Sequence, residues 1–377
     1  MKKSILFISP DYHCTFFYRN ELRKLGWKAD IYVPSNYPEL MLFDSPDYIF
    51  KSKIKSVRAL KLYRFLWQIW FFLTTALRYR YHFYHCGIDQ FSFGEKHLTF
   101  LGLKDSEFRV HLWITKLLNI KIIHMPSGVP DEEMPEIVEK YGNKEEGVET
   151  EDPVKMLRWF NMLRKYCDMN IGYGHIDSTQ YKATHIKYKV LDMNLYNPDL
   201  IIPEHLKLRA TNKLRILHSF MFGEDRVKIY KGNIKGSRYI KEALDRLISE
   251  GYEIEYLAFD RVPAKEYRFI QLQADIVVEE LIRGAWGSTA LECIALGKPV
   301  ITYIRPEWEA HYYQCFPETE PHPFINANKY DIYDVLKMVI ENEDFRLKRS
   351  RDSRKWAEMH LSPEVNVNFF ADLIKKL

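Results

Sequence analysis

Residues 283–300, RGAWGSTALECIALGKPV, combine residue types suited to binding an anion. Ser288 and Thr289 stand where an apolar helix pattern begins, and the backbone N–H groups and dipole of a helix start attract negative charge. Glycines line the turn before this point, and Glu292 adds one carboxylate to the helix. The stretch therefore predicts an anion-binding turn that is followed by a short helix and a buried strand.

Glu292 also has a purely structural interpretation. The spacing from Thr289 to Glu292 is that of a capping box, in which the threonine caps the helix and the glutamate reaches back to its N–H group. From spacing alone this structural role is at least as well supported as a role in binding. Both interpretations stay open at this point.

A second polar loop, RVKIYKGNIKGS, follows the predicted strand LRILHSF. Its glycines would let backbone N–H groups approach a phosphate, and its basic residues would supply charge; these are Arg226, Lys228, Lys231 and Lys235, with Gly232 and Gly236 between and after them. A solvated basic loop is the favoured alternative for such a segment taken alone. A third loop, FDRVPAKE, begins where a strand ends at Asp260. Its backbone could pack along the face of a flat ring of a bound ligand.

The elements that must position these loops alternate between strand and helix in both halves of the chain. In the first half, SILFIS and KADIYVPS flank a helix, and the pattern continues through YHFYHCG, IKIIHMPSG and MNIGYG. It restarts after residue 212 with LRILHSF, EIEYLAFD, DIVVEEL and PVITYI. Such alternation predicts α/β architecture with two doubly wound, Rossmann-like domains, whose ligands bind beyond the carboxyl ends of the strands.

We place the domain boundaries where the periodicity breaks. Residues 1–191 form the predicted N-terminal domain, and residues 192–212, which contain two prolines and no sustained period, form a linker. Residues 213–361 form the C-terminal domain, and residues 362–377 form a helix that packs back on the N-terminal domain. A length of 377 residues suits two domains of ordinary size.

Composition excludes several classes of protein. The five cysteines are widely spaced with no CxxC pair, so neither a disulfide framework nor a zinc site is indicated, and a reducing cytoplasm is the simplest location. The N-terminal apolar run is too short for a signal peptide. The most apolar stretch, residues 65–77, falls well short of the roughly 20 residues that span a bilayer.

The net charge of +4 is unevenly distributed. No acidic residue occurs between Tyr48 and Ile88, where eight basic residues flank aromatic residues on a helical pattern. This composition is typical of interfacial helices, so residues 51–80 are a candidate contact with an anionic membrane, on the inner face of the membrane for a cytoplasmic protein. Packing of the aromatic residues in the N-terminal core is an equally supported alternative. No partner of the nucleic-acid class is indicated.

The stretch ADIVVEELIRGAWGSTALECIALGKPVITYI resembles the donor-binding segment of GT-B glycosyltransferases of the E-x7-E group, family four in the usual classification. KGSRYIKEAL resembles the helix start KGT-x-x-I-x-x-A of the same group. The layout agrees across nearly the whole chain, although the specific motifs lie in the C-terminal half. The resemblance implies a GT-B fold, with two Rossmann-like domains facing a central cleft.

The resemblance also implies roles for individual residues. Glu292 matches the glutamate that accepts hydrogen bonds from the ribose hydroxyls of the donor, and Lys235 matches the lysine that neutralises the donor diphosphate. Arg226 is a candidate for the arginine partner of that lysine, and Val262 stands where the base is held by backbone contacts. The remaining implied donor-site positions lie in the two turns and are Gly236, Glu280, Gly284, Gly287, Ser288 and Thr289.

The sequence departs from the family pattern in two places. Gly284 stands eight residues before Glu292, where the first glutamate is expected, and the nearest acids are Glu279 and Glu280. The glycine-rich acceptor loop near the N-terminus is replaced by SPDYHCTFF. For the acceptor side we select His124, at the end of a strand, although a hydrogen-bonded surface histidine is the commoner situation.

We therefore expect a glycosyltransferase that moves a sugar from a UDP- or GDP-linked donor to a hydroxyl of a glycan or lipid-linked acceptor. Lys235, Arg226 and helix ends would stabilise the departing diphosphate without a metal ion, and the family implies retention of configuration. Two alternatives remain open. One is a nucleotide-sugar epimerase of the same fold, and the other is a non-catalytic protein that binds membranes or polyanions.

Overall fold

The computed structural model describes residues 3–10, 13–33, 42–85, 88, 91, 109–125, 153–174, 182–186, 190–218, 235–259 and 262–377. Arg226 and Asp260 lie outside these residues, so the predictions that concern them are not addressed by the structure.

The N-terminal half forms a seven-stranded sheet in the order β3-β2-β1-β4-β5-β6-β7. All of its neighbouring strands run parallel. The strands are β1 (Ser4–Ile8), β2 (Lys28–Val33), β3 (Tyr48–Ile49), β4 (Tyr81–His85), β5 (Lys121–Met125), β6 (Met169–Gly172) and β7 (Thr184–His185). The central strands are buried along their length, as expected when helices cover both faces of a parallel sheet.

The helices of this half are α1 (Cys14–Lys24), α2 (Val57–Thr74), α3 (Val110–Leu117) and α4 (Pro153–Tyr166). α2, α3 and α4 share one buried cluster with Leu6, Ile8 and Ile122 of the sheet, so they cover the same face. α1 covers the other face, where its Phe16 and Leu22 pack with Ile5, Phe7 and Ile31.

The C-terminal half forms a five-stranded parallel sheet in the order β12-β11-β10-β8-β9. Its strands are β8 (Leu214–His218), β9 (Ile254–Leu257), β10 (Ile276–Val278), β11 (Val300–Thr302) and β12 (Ile325–Asn326). Its helices are α5 (Ser237–Ser249), α6 (Ala264–Gln271), α7 (Ser288–Ala295), α8 (Pro306–Cys315), α9 (Ile332–Glu341) and α10 (Glu343–His360). This half therefore repeats the architecture of the first one.

The last helix, α11 (Pro363–Lys375), packs against the N-terminal half. Its Phe370 ring lies 4.9 Å from the ring of Tyr18 on α1 and 5.6 Å from that of Phe83 on β4. The return of the C-terminal helix to the first domain is therefore confirmed. Between the two sheets lies the segment predicted as a linker, which contains only a short 3-10 helix, Glu204–Leu206.

Arg354 of α10 holds the start of the linker segment. Its guanidinium donates to the carbonyl oxygens of Tyr196 and of Ala295 at the end of α7, each at 2.6 Å. The linker is thereby fixed to the helix that carries Glu292. Among the described helices, none is both long and apolar enough to cross a bilayer.

Candidate active site

The turn between β10 and α7 ends at Gly287, which is the N-cap of the helix. Ser288 and Thr289 therefore lie in the first helical turn, as their proposed role at a helix start requires. The capping-box interpretation is wrong, because the cap position is taken by Gly287 rather than by Thr289. A glycine cap leaves the first N–H groups of a helix without a side-chain acceptor from the cap residue itself.

The carboxylate of Glu292 is directed sideways from α7, to α6 and to the N-terminal domain. Its Oε2 accepts a 2.6 Å hydrogen bond from Nε2 of Gln271, the last residue of α6. Its Oε1 lies 3.4 Å from Nδ1 of His13, and the side chain is 12% exposed. The residue selected for ribose binding thus lies where the two domains meet.

His13 is a site residue that the sequence interpretation missed. It precedes α1 in the loop after β1 and is only 3% exposed. Its ring packs against the rings of Phe17, Phe43 and Tyr196 at centroid distances of 5.3, 5.9 and 5.4 Å. The one available signal was its position in SPDYHCTFF, the segment that replaces the expected glycine-rich loop.

Tyr196, from the linker segment, completes the surroundings of His13. Its hydroxyl lies 3.5 Å from Nδ1 of His13. Burial, and next the charge of Glu292, hold the pKa of Tyr196 well above its usual value. The phenol therefore stays protonated at neutral pH and adds a hydrogen-bond donor beside the carboxylate.

Lys235 and Glu279 form an ion pair at the same edge of the C-terminal sheet. Lys235 stands two residues before α5, which follows β8, and Glu279 follows β10, the neighbour of β8 in the sheet. The Glu279 carboxylate is buried and also accepts from the backbone N–H of Gly287 at 3.3 Å and from the Thr302 hydroxyl at 3.4 Å. The lysine selected for the diphosphate is therefore already held by a fixed negative charge.

The packing of the turn itself requires glycine at two positions. Gly284 has φ +82°, and a Cβ atom there would lie 2.1 Å from Cγ of Arg305. At Gly287 a Cβ atom would lie 2.7 Å from Oε1 of Glu279. The space beside both residues is filled by the protein itself, so a side chain at either position would overlap Arg305 or Glu279. The glutamate of the family pattern, placed at position 284, would overlap Arg305 unless Arg305 moved.

Glu280 closes the same turn. Its two carboxylate oxygens accept hydrogen bonds of 2.9 Å from the backbone N–H groups of Arg283 and Gly284. The side chain is buried, and these bonds compensate for the loss of its hydration. A direct contact of Glu280 with a donor sugar stays a prediction.

The other predicted donor-site residues lie at the starts of helices. Gly236 is the N-cap of α5. Val262 is half-buried and lies two residues before α6, the helix whose last residue holds Glu292. Both stand at a strand-to-helix connection, where the family resemblance requires them.

His124, which we selected for the acceptor side, is buried rather than accessible to an acceptor. It is 1% exposed within β5, beside Tyr84 of β4 and Asn170 of β6. Its ring packs edge-on against Trp159 of α4 at a centroid distance of 5.7 Å. The ring is covered because α4 packs over this part of the sheet, so His124 is a core residue in this structure.

Solved structures with the same architecture were found by structural comparison. HepE from Anabaena in complex with UDP and glucose matches with a TM-score of 0.59 at 12% identity over 100% of both chains. Sucrose-phosphate synthase from Thermosynechococcus elongatus matches with a TM-score of 0.59 at 12% identity over 99% of this chain and 98% of that one. A protein from Listeria monocytogenes that is provisionally assigned as a UDP-N-acetylglucosamine 2-epimerase matches with a TM-score of 0.55 at 11% identity. The match covers 100% of this chain and 96% of that one.

Comparisons of sequence gave no match. No protein-family profile matches the chain, and no curated protein is a detectable relative. At these identities the structural likeness concerns the fold alone. With its two parallel-sheet domains, the chain has the GT-B fold, as do HepE and sucrose-phosphate synthase.

Proposed function

We propose that this protein is a glycosyltransferase that moves a sugar from a nucleoside-diphosphate donor to a hydroxyl group of a glycan or lipid-linked acceptor. The observation that carries the proposal is the position of Glu292. This half-buried carboxylate lies at the junction of two Rossmann-like domains, within reach of both His13 and Gln271. Ligands of open parallel sheets bind at the carboxyl ends of the strands, which is where this junction lies.

In this proposal a ribose replaces the His13 contact of Glu292. Its bond to Gln271 is short, whereas its 3.4 Å approach to His13 is too long for a strong charge-assisted bond. The ribose hydroxyls would donate to the carboxylate while Gln271 keeps the group oriented. The His13 ring would then either move away from the carboxylate or contact the bound ribose.

Lys235 and the helix starts would bind the diphosphate. An ammonium group has three N–H donors, so Lys235 can keep its bond to Glu279 and still donate to a phosphate oxygen. The first N–H groups of α5 and α7 lie after neighbouring strands and add donors at the same edge. Charge that develops on the leaving diphosphate would thus be stabilised by fixed groups, with Arg226 as a further candidate.

Transfer without a metal ion and with retention of configuration is part of this proposal. HepE was solved with UDP-glucose as well as with UDP and glucose, which supports UDP as the first nucleotide to test and GDP as the second. Formation of product in the presence of a chelator would show that no metal ion is needed. Nuclear magnetic resonance of that product would give its anomeric configuration. Release of an epimerised sugar from the donor in place of transfer would instead identify an epimerase.

Nucleotide binding provides the direct test. A ligand at 100 times its dissociation constant stabilises a protein by about 2.7 kcal/mol, so UDP or GDP should raise the melting temperature in the presence of a chelator. Glu292→Gln should lower nucleotide affinity about tenfold or more, because hydrogen bonds to a charged acceptor contribute roughly 1.5–3 kcal/mol. The melting temperature of the unliganded variant should change little, since glutamine has the same size.

Glu343→Gln, at an exposed position in the first turn of α10, is the matched control and should bind nucleotide as the parent does. Equal affinity of Glu292→Gln and the parent would remove the ribose role. Failure of every nucleotide to bind would remove the donor site as a whole.

We further propose that the N-terminal domain contacts an anionic membrane, where a lipid-linked acceptor would be presented. α2 turns Leu62, Leu66, Trp70 and Leu73 outward, with Trp70 58% exposed. α3 covers the same face of the sheet and exposes Trp113 and Leu117, the latter 64% exposed. Apolar side chains of this size on neighbouring helices are typical of an interaction surface rather than of a helix face exposed only to water.

The charge around α2 favours a lipid surface as the occupant. Lys51, Lys53, Lys55, Arg58 and Lys61 are all exposed, and no acidic residue occurs between Tyr48 and Ile88. Basic residues beside exposed tryptophan and leucine are what anionic interfaces attract. Of the aromatic residues on α2, Phe71 and Phe72 are buried in the core, so the core-packing alternative holds for part of the helix only.

A further inference from the structure

Three metal-ligating side chains from the two domains meet away from Glu292. His185 ends β7, the last strand of the first sheet, whereas His311 and Cys315 lie one turn apart on α8 of the second domain. One ligand atom from each of the three residues lies within 4.8 Å of the other two. All three side chains are half-buried, so an ion could reach them from solvent.

The two residues of α8 already have the spacing of a tetrahedral site. Sγ of Cys315 lies 3.5 Å from Nε2 of His311. Zinc bonds of about 2.3 Å to sulfur and about 2.05 Å to nitrogen, at the tetrahedral angle, give a separation of about 3.6 Å between those two ligand atoms. A zinc ion could therefore bind both ligands without a change in the helix.

His185 is brought to α8 by close backbone packing. The turn after β6 lies so near α8 that a Cβ atom on Gly174 would come within 2.7 Å of the Tyr312 ring. The imidazole lies directly over Gly172, where a Cβ atom would be 2.9 Å from Nδ1 of His185. As a result the rings of His185 and His311 are 5.8 Å apart and nearly perpendicular.

One rearrangement is required for binding. Nδ1 of His185 accepts a 3.0 Å hydrogen bond from the backbone N–H of Gly174, so this nitrogen holds a lone pair in the neutral ring. The metal would take that lone pair in place of the N–H group, or the ring would turn to present Nε2. At Cys315 the metal replaces the thiol proton, which is released to solvent.

We propose that His185, His311 and Cys315 form a site for Zn²⁺ or a similar borderline metal ion, with water as the fourth ligand. Two imidazoles and a thiolate select such ions over Mg²⁺ and Ca²⁺, which prefer oxygen ligands. The ion would tie β7 of the N-terminal domain to α8 of the C-terminal domain. Its role is to fix the two domains relative to each other, separately from any binding of nucleotide at Glu292.

Metal titration of the purified full-length protein tests the site. Zn²⁺ added against a chromophoric chelator should bind at one equivalent per chain and raise the melting temperature. Co²⁺ should give the intense absorption of a thiolate–cobalt bond together with the visible bands of a tetrahedral ion. Cys315→Ser should abolish the thiolate band, and His311→Gln and His185→Gln should each lower the affinity for zinc at least tenfold.

Cys167→Ser and His322→Gln are the matched controls, since each removes a cysteine or histidine of the chain that lies outside the cluster. Both should bind zinc and cobalt as the parent does. Zinc binding that is equally strong in Cys315→Ser and in the parent, or a cobalt spectrum without a thiolate band, would overturn the proposal. Binding of UDP or GDP is measured separately, so failure of the metal site leaves the donor site standing.

Discussion

The two domains repeat one architecture but differ in where their polar residues lie. In the C-terminal domain, Glu279, Glu280 and Glu292 come from a single turn and helix, and hydrogen-bond donors hold each of them. The N-terminal domain contributes His13, surrounded by aromatic rings, to the junction, and it exposes apolar residues on its outer helices. The difference indicates that the C-terminal domain carries a preorganised polar site, whereas the N-terminal domain exposes an apolar surface on its outer helices.

The outer helices of the C-terminal domain carry ion pairs and hydrogen bonds between exposed polar side chains. Glu250 at the end of α5 accepts hydrogen bonds from Tyr333 and Lys337 of α9. On α10, Lys348 pairs with Asp352 and Arg354 with Glu358 at i, i+4 spacing. Pairs of this kind are absent from α2, which has no acidic residue. The two domains therefore differ in the charges of their outer helices as well as in the candidate site.

The largest expected effect concerns a feature that the two domains share, namely a buried histidine whose pKa is lowered by burial. Burial lowers the pKa of His82 in β4 and that of His218 in β8 to about 4. His82 donates to the carbonyl oxygen of Ala76, and His218 donates to that of Val278 while accepting from the Ser237 hydroxyl. Neither ring can bind a proton without loss of folding free energy.

The pH dependence follows from the direction of these shifts. The unfolded chain binds a proton at each histidine near pH 6.5 and the folded protein only near pH 4. Stability is therefore complete above pH 6.5 and is lost as the pH falls towards 4, by up to about 3 kcal/mol for each histidine. Denaturant unfolding at several pH values between 7 and 4 would measure this loss.

His82→Gln and His218→Gln should each flatten the acid dependence, by about 1.4 kcal/mol per pH unit within that window. His205→Gln, at an exposed position of the linker segment, should leave the slope unchanged. If only one of the two buried variants flattens the slope, the domains differ in their cores as well as in their sites.

The fold was predictable to a large extent because parallel strands buried on both faces have long apolar runs. SILFIS, LRILHSF and PVITYI were assigned to strands, and all three are interior strands of a sheet. The short edge strands β3, β7 and β12 were missed, since two residues carry no periodicity. α8 was also missed, because its aromatic and polar residues, PEWEAHYYQC, do not follow a single apolar face.

The site was predictable only where it is contiguous in the chain. Glu292, Ser288 and Thr289 belong to one helix start, whose position is correct. The contact of Glu292 with His13 joins residues from opposite ends of the chain, and no spacing rule relates them. His124 was chosen for its place at a strand end, and the sequence does not reveal that Trp159 covers it.

The next effect in size tests why the C-terminal turn departs from the family pattern. Gly284 and Gly26 have similar backbone angles, φ +82° and +78°, but no atom lies within 4 Å of a Cβ placed at Gly26. Gly26→Ala should cost about 1 kcal/mol from backbone strain. Gly284→Ala should cost about 2 kcal/mol or more, because the added methyl group also overlaps the Arg305 side chain.

Denaturant unfolding of both glycine variants would give the difference directly. Equal costs would mean that Arg305 moves aside easily. In that case Gly284→Glu, which restores the first glutamate of the family pattern, should also fold and would become a useful probe of the donor sugar. A larger cost at position 284 would support Arg305 as the reason for the glycine.

The smallest expected effect tests the outer surfaces. If α2 contacts an anionic bilayer, Lys61→Gln should weaken binding to vesicles of phosphatidylserine and phosphatidylcholine about fivefold, since a basic residue near such a surface contributes about 1 kcal/mol. Lys348→Gln, which removes an exposed charge from α10 of the C-terminal domain, should have no effect. Binding should also fall as salt screens the lipid charge. Equal binding to neutral and anionic vesicles, or equal loss in the two lysine variants, would remove the membrane proposal and leave the exposed residues of α2 and α3 for a protein partner.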